Sequence, residues 1–199
     1  NRRIYTEFLR ANGIYFTAKS DWNRFLALCA RKPGGRKVFE AFMKQKRIAR
    51  SGRSKFEKVW ELINKHHDER ILIFTAENDT AYELGSRFLL PVITHRTKAS
   101  ERKEMLDSFR SGEYPVLITS KVLNEGVDVP EASVGIVMSG SASIREHVQR
   151  LGRILRAVKG KEAILYELIS EGTSEMSVSR RRTEHRAYKN RWHGRYGRK

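Results

Sequence analysis

Arg70-Ile71-Leu72-Ile73-Phe74-Thr75 is where the chain changes character. Upstream, apolar residues recur at helical spacing; here four stand in an unbroken run. A short apolar run between polar residues marks a strand buried on both faces, as in a parallel sheet. The pattern then repeats downstream. A helix is predicted at about 79–89, with Ala81, Leu84 and Phe88 inward, then a strand at 91–94. A helix at about 100–110 carries Met105, Leu106 and Phe109, and a strand covers 116–119. A short helix near 121–124, a strand at 134–138, a helix at 143–156 and a strand at 163–168 complete the series. Strands alternating with helices at this spacing predict an α/β domain over 70–172, a parallel sheet with helices on both faces.

Before Arg70 the period is helical. Ile4, Phe8 and Leu9 share a face that ends at Asn12-Gly13. Ser20-Asp21 caps a second helix carrying Trp22, Phe25, Leu26 and Cys29, stopped by Pro33-Gly34-Gly35. A third helix is expected over 36–50 and a fourth over 53–67, with Phe56, Val59, Trp60 and Ile63 apolar. Residues 1–69 therefore read as a helical subdomain, with Trp22 and Trp60 as core residues. Residues 173–199 read as a basic helix or tail.

The 199 residues carry 40 Lys/Arg against 23 Asp/Glu, net +17, and the excess is uneven. Residues 70–172 are balanced, whereas 1–69 carry net +10 and 173–199 net +7. Basic flanks on a neutral domain suit a polyanion, most often nucleic acid. Lys44, Arg47, Arg50 and Arg53 segregate from the apolar faces and are candidate nucleic-acid contacts. No apolar run approaches the ~20 residues that span a bilayer, and no signal-peptide pattern opens the chain. One cysteine, Cys29, permits no internal disulfide and no multi-cysteine zinc site; it reads as a small core residue under reducing conditions. The chain begins at Asn1 rather than Met, which raises the expectation of a piece of something longer.

Ligands of open α/β sheets sit beyond the carboxyl ends of the strands. Those segments here are Thr75-Ala76-Glu77-Asn78, His95-Arg96-Thr97, Ser120-Lys121 running on to Asn124-Glu125-Gly126-Val127-Asp128-Val129-Pro130, and Ser139-Gly140-Ser141. The last leads to a capping box, Ser143-Ile144-Arg145-Glu146, and to Gln149-Arg150-Leu151-Gly152-Arg153-Ile154-Leu155-Arg156. At ~100° per residue, Ile144, Val148, Leu151 and Leu155 share one face, and Gln149, Arg153 and Arg156 lie nearly opposite. The chain has no Gly-x-x-x-x-Gly-Lys-Ser/Thr loop, no Gly-x-Gly-x-x-Gly and no Asp-Glu strand end to hold magnesium. As an isolated enzyme it is poorly equipped.

With these residues quoted, Ile71 to Leu168 resembles the second RecA-like domain of superfamily 2 helicases. Arg70 to Thr75 resembles motif IV. Ile118-Thr119-Ser120 through Pro130 resembles motif V, and Gln149 to Arg156 resembles motif VI. The wording Gln-Arg-Leu-Gly-Arg-Ile-Leu-Arg, with Val129-Pro130-Glu131-Ala132, is similar to XPB-type (xeroderma pigmentosum group B) DNA helicases. The resemblance implies an ATP site shared with an N-terminal RecA-like domain that brings the phosphate loop and Mg2+. Arg153 and Arg156 would be its arginine fingers, with Gln149 positioning nearby. Gly126 would allow close backbone approach, and Asp128 would hydrogen-bond the ribose. Thr94, His95, Arg96, Thr119 and Ser120 would face the DNA strand, and the basic helices before Arg70 would form a thumb-like element. It implies ATP hydrolysis by the full-length chain, inactivity of the fragment alone, and a cytoplasmic (archaeal-like) or nuclear location. A nuclease or a repair or transcription protein would be a possible partner. The alternatives are a non-catalytic nucleic-acid or protein-binding module, and an RNA helicase or restriction translocase of the same superfamily.

Overall fold

The computed structural model describes residues 2–16, 19–120, 132–138, 163–173 and 175–176. Two compact units divide the chain, Asn1–Ala49 and Arg50–Lys199. The helices expected at 121–124 and 143–156 lie outside the described residues, as does most of the basic C-terminal segment.

The first unit is built on α1 (Arg2–Ala11), α2 (Lys19–Arg31) and α3 (Gly35–Arg50), the last of whose residues belongs to the second unit. Ile14, Phe25, Cys29, Val38 and Phe42 form its buried core, so Cys29 is a core residue as its apolar neighbours suggested. The packing is largely aromatic: Phe25 and Phe42 lie 5.1 Å apart between ring centroids, with Phe8, Phe16 and Phe39 around Phe25. The start of α3 presses on α2. A Cβ at Gly35 would stand 2.1 Å from the Cys29 carbonyl oxygen, so no larger residue fits. Trp22 is not a core residue. It rims the cluster, 36% exposed, with the Lys46 ammonium 5.5 Å from its ring centre.

The second unit holds α4 (Arg53–Lys65), β1 (Ile71–Thr75), α5 (Asn78–Phe88), β2 (Val92–Ile93), α6 (Ala99–Ser111), β3 (Val116–Ser120), β4 (Val134–Val137) and β5 (Ile164–Glu167). The five strands lie in the order β2-β3-β1-β4-β5, every neighbouring pair parallel. Ile71 pairs with Val116 on one side and Val134 on the other. Alternate residues therefore face opposite layers in step across the sheet. Every residue of β1 and β3 is buried, which explains their unbroken apolar runs.

From β1 the chain moves outward through α5 to β2, then back through α6 to β3, and β4 and β5 follow on the far side of β1. Parallel crossovers share one hand, so connections running in opposite directions cover opposite faces. Ala81 and Leu84 of α5 accordingly pack on Ile71, Ile73, Val116, Ile118, Val134 and Ile136. Leu106 and Phe109 of α6 pack on Leu72, Phe74, Ile93, Leu117 and Val137. Phe56, Val59, Leu62 and Ile63 of α4 join the first of these layers. The sequence grouped α4 with the helical segment 1–69; its apolar stripe instead meets the sheet, because periodicity shows that a face is buried but not against what. Trp60, also expected in the core, is 45% exposed and stacks on Phe88 with ring centroids 5.0 Å apart.

Candidate functional site

β1 and β3 are neighbours that hand the chain on in opposite directions. Crevices at the carboxyl ends of such strands are where open α/β sheets take ligands. Polar side chains concentrate there. Thr75 ends β1 and its hydroxyl donates to the Glu77 carbonyl at 3.0 Å. Ser120 ends β3 and its hydroxyl donates to Asn78 Oδ1 at the start of α5. The Asn78 amide in turn meets His95 Nδ1 at 2.9 Å. Beyond β2, the Thr94 hydroxyl meets the Tyr82 hydroxyl at 2.8 Å and accepts from the Arg96 amide at 3.1 Å, while the Thr97 hydroxyl accepts from the Thr94 amide at 2.9 Å. Three strand ends and the first turns of α5 are thereby tied into one polar edge.

The residues expected to face a strand of DNA do not all reach solvent. Thr94, Thr119 and Ser120 are 0%, 1% and 1% exposed. Thr119 also lies on the opposite sheet face from Ser120, with its hydroxyl 3.4 Å from the Ser120 carbonyl. β3 is an inner strand, paired with β1 as far as Ser120 and with β2 as far as Thr119, and its end is buried. His95 and Arg96, in the turn after β2, are the exposed members of the set. Asn78 and Tyr82 hold this edge together; the sequence reading named Asn78 only as part of the segment after β1, and Tyr82 not at all. An Asn one residue into a helix that follows a buried strand was the available signal.

The four basic candidates separate. Lys44 and Arg47 are exposed on α3 within the first unit. Arg50 is ion-paired through Nη1 with Glu77 just after β1. Arg53 Nε meets Glu57 at 3.0 Å, an exposed pair one helical turn apart. Arg50 and Arg53 therefore belong to the sheet-bearing unit and each has a carboxylate beside it.

A second cluster, unforeseen from sequence, lies at the end of β4. Lys55 of α4 is 4% exposed, and its ammonium donates to the Met138 carbonyl at 2.8 Å and to Glu175 Oε2 at 2.6 Å. Glu175, 6% exposed, also accepts from the Ser170 amide at 3.0 Å, while its Oε1 has no hydrogen-bond partner among the described residues. Burial lowers the Lys55 pKa from its ordinary value; the hydrogen bond and charge of Glu175 oppose that only in part. A lysine and a glutamate so far apart in sequence carry no local pattern that could have paired them.

Gly126, Asp128, Gln149, Arg153 and Arg156 lie outside the described residues. The described chain fixes where their segments leave the sheet, at Ser120 of β3 and at Met138 after β4. Among the described residues no group of three His, Cys, Asp or Glu could hold a metal ion, and no helix is long and apolar enough to cross a membrane.

Comparison with known proteins agrees with this geometry. Residues 54–158 match the helicase conserved C-terminal domain, a span that starts within α4 and covers all three motifs. The chain is 40% identical over 183 residues to the DNA 3'-5' translocase XPB2 of Sulfurisphaera tokodaii, covering 92% of this chain and 42% of that protein. It is 38% identical to the DNA 3'-5' helicase XPB of Mycobacterium tuberculosis, covering 68% of this chain and 25% of the relative. It therefore spans less than half the length of either. Among solved structures, the C-terminal domain of the DEAD-box protein Dbp5 superposes with a TM-score of 0.57 at 20% identity, covering 68% of this chain and 80% of that one. A DEAD box protein from Methanococcus jannaschii gives 0.56 at 24% identity, covering 68% and 37%. Those two likenesses concern the fold, a RecA-like α/β domain. The parallel sheet, the three ordered motifs and the span of the match together place the chain in the helicase conserved C-terminal domain family, within its XPB type.

Proposed function

We propose that the chain is the C-terminal half of an ATP-dependent DNA helicase or translocase. Its sheet edge would complete an ATP site whose phosphate loop and Mg2+ belong to a preceding RecA-like domain. The observation that carries this reading is the helicase conserved C-terminal domain match over 54–158, which takes in all three sequence motifs. Arg153 and Arg156 are the proposed fingers. Charge develops on phosphate oxygens during phosphoryl transfer, and a guanidinium stabilises it because its fork is planar and permanently charged. Gln149 positions the group, Asp128 takes the ribose hydroxyl, and Gly126 admits close backbone approach. Among the described residues no group of three His, Cys, Asp or Glu could hold a metal ion, and the reading gives Mg2+ to the preceding domain. ATP, when bound, supplies the free energy that closes and reopens the two domains.

On the nucleic-acid side, His95 and Arg96 present the edge that Thr94, Asn78 and Ser120 organise. Lys44 and Arg47 add phosphate contacts that read no sequence. Such an activity belongs wherever the DNA is, in the cytoplasm of an archaeal-like cell or in a nucleus, alongside a nuclease or a repair or transcription protein.

The test is reconstitution. The chain alone should hydrolyse no ATP, and joined to the preceding RecA-like domain it should show DNA-stimulated turnover. Arg156→Ala in that joined protein should lower kcat by on the order of a thousandfold while ATP still binds. Hydrolysis by the chain alone, or normal turnover by Arg156→Ala, overturns the reading. Stimulation by RNA but not by DNA moves it to another branch of the superfamily.

A further inference from the structure

The first unit carries an aromatic that its core does not use. After α1 the chain turns at Gly13 (φ 60°) and runs Ile14-Tyr15-Phe16 toward α2. Ile14 is 2% exposed and belongs to the core. Phe16 is inserted among Trp22, Phe25 and Phe42, with centroids 6.3, 5.6 and 5.9 Å away. Between these two anchors Tyr15 is 74% exposed. Phe16 holds a left-handed backbone, φ 53°, which costs a bulky residue energy and persists only where the surroundings over-determine it. Tyr15 is therefore flanked by two packed residues, and its ring is left exposed between them.

Cations pack on the residues that precede this loop and on the rings that hold Phe16. Both Arg24 Nη2, at 3.1 Å, and Lys32 Nζ donate to Asn12, through its carbonyl and its side-chain oxygen respectively. Lys46 lies over the Phe42 and Trp22 rings, 4.6 and 5.5 Å from their centres. Residues 1–49 carry twelve Lys/Arg against three Asp/Glu. An exposed aromatic between packed anchors, on a cationic unit, is the arrangement that holds single-stranded nucleic acid: the ring stacks on a base while the cations track the backbone.

We infer that Tyr15 is a stacking site for an unpaired nucleobase, with Arg24 and Lys32 at the flanking phosphates. The inference rests on the DNA-dependent reading above and sharpens it: the first unit takes a strand whose bases are unstacked, because bases stacked within a duplex offer no free face. Duplex would meet its cations only.

The experiment is a fluorescence-anisotropy titration of the whole chain with a labelled oligothymidine and with a duplex of the same length, at one fixed salt concentration. Tyr15→Ala should weaken single-strand binding about 5- to 150-fold, the range of one lost stacking contact. Duplex binding should move less than twofold, and the salt dependence of both should stay unchanged, since no phosphate contact is removed. Tyr15→Phe, which keeps the ring, should bind as the unsubstituted chain does. Arg24→Ala is the converse arm, weakening both ligands and flattening the salt dependence. A Tyr15→Ala protein with unchanged circular dichroism that binds the single strand within twofold of normal overturns the inference, as does an equal loss for strand and duplex. Absence of any DNA binding by the unsubstituted chain overturns the DNA reading itself, and this inference with it.

Discussion

Replacing Lys55 by Met keeps most of the side chain's volume and removes its ammonium. In the structure that ammonium serves two acceptors, the Met138 carbonyl at 2.8 Å and the Glu175 carboxylate at 2.6 Å. Without it, Glu175 keeps only the Ser170 amide among the described residues, in a site where it is 6% exposed. Removing one partner of a buried ion pair costs about 3–5 kcal/mol, because the other charge stays buried. Lys55→Met should therefore lower the unfolding free energy of the sheet-bearing unit by about that amount. Removing both charges is a different perturbation. Lys55→Met with Glu175→Leu leaves no orphaned charge and should return to within about 1 kcal/mol of the original protein, or above it. Urea unfolding followed by circular dichroism gives the free energies, and amide exchange at Ile136 and Met138 localises the loss. A single variant less than 1 kcal/mol down, or a double variant as unstable as the single, refutes the reasoning. Acidity provides a second reading. Burial lowers the Lys55 pKa, so the folded chain holds that proton less tightly than the unfolded chain does. Between the folded-state pKa and the ordinary lysine value the unfolded state binds more protons, and stability from this group rises with pH. Below that window the contribution is flat, and Lys55→Met should abolish the rise.

Two further substitutions test backbone geometry. Leu89, at the end of α5, is left-handed with φ 54° and 91% exposed, so Leu89→Gly should raise stability by about 1 kcal/mol in urea unfolding. Gly35→Ala places a Cβ 2.1 Å from the Cys29 carbonyl oxygen; it should destabilise the first unit by about 3 kcal/mol and be read as faster amide exchange through Phe25 and Phe42.

Most of the sheet was legible because burial on two faces leaves an unmistakable trace. Ile71–Phe74, Val116–Ile118 and Val134–Val137 could hardly be anything but inner parallel strands. What the sequence could not show was which surface a half-apolar helix meets. The stripe Phe56, Val59, Ile63 is the same whether α4 packs on other helices or on β1, and only the three-dimensional neighbours distinguish them. Exposure at the site was misjudged for a similar reason. Thr119 and Ser120 are polar residues at a strand end, where solvent is the ordinary expectation, but an inner strand's last residues are roofed by its neighbours. The Lys55–Glu175 pair was beyond reach, since nothing local in sequence joins a residue of α4 to one past β5.

The strand order has a consequence for how this chain must be made. β1 is the first strand of this sheet to be synthesised and the middle one of the five described. Its partners, β3 and β4, begin 45 and 63 residues later, at Val116 and Val134 against Ile71. At about 5–20 residues per second, roughly 3–13 s pass before both have been synthesised. Throughout that interval Ile71–Phe74 has two vacant hydrogen-bonding edges and two apolar faces, the features that draw one chain to another. α4 is made just before β1 and carries the apolar stripe that packs against it in the finished fold. The helix that the sequence grouped with residues 1–69 is thus available as the nascent sheet's first cover.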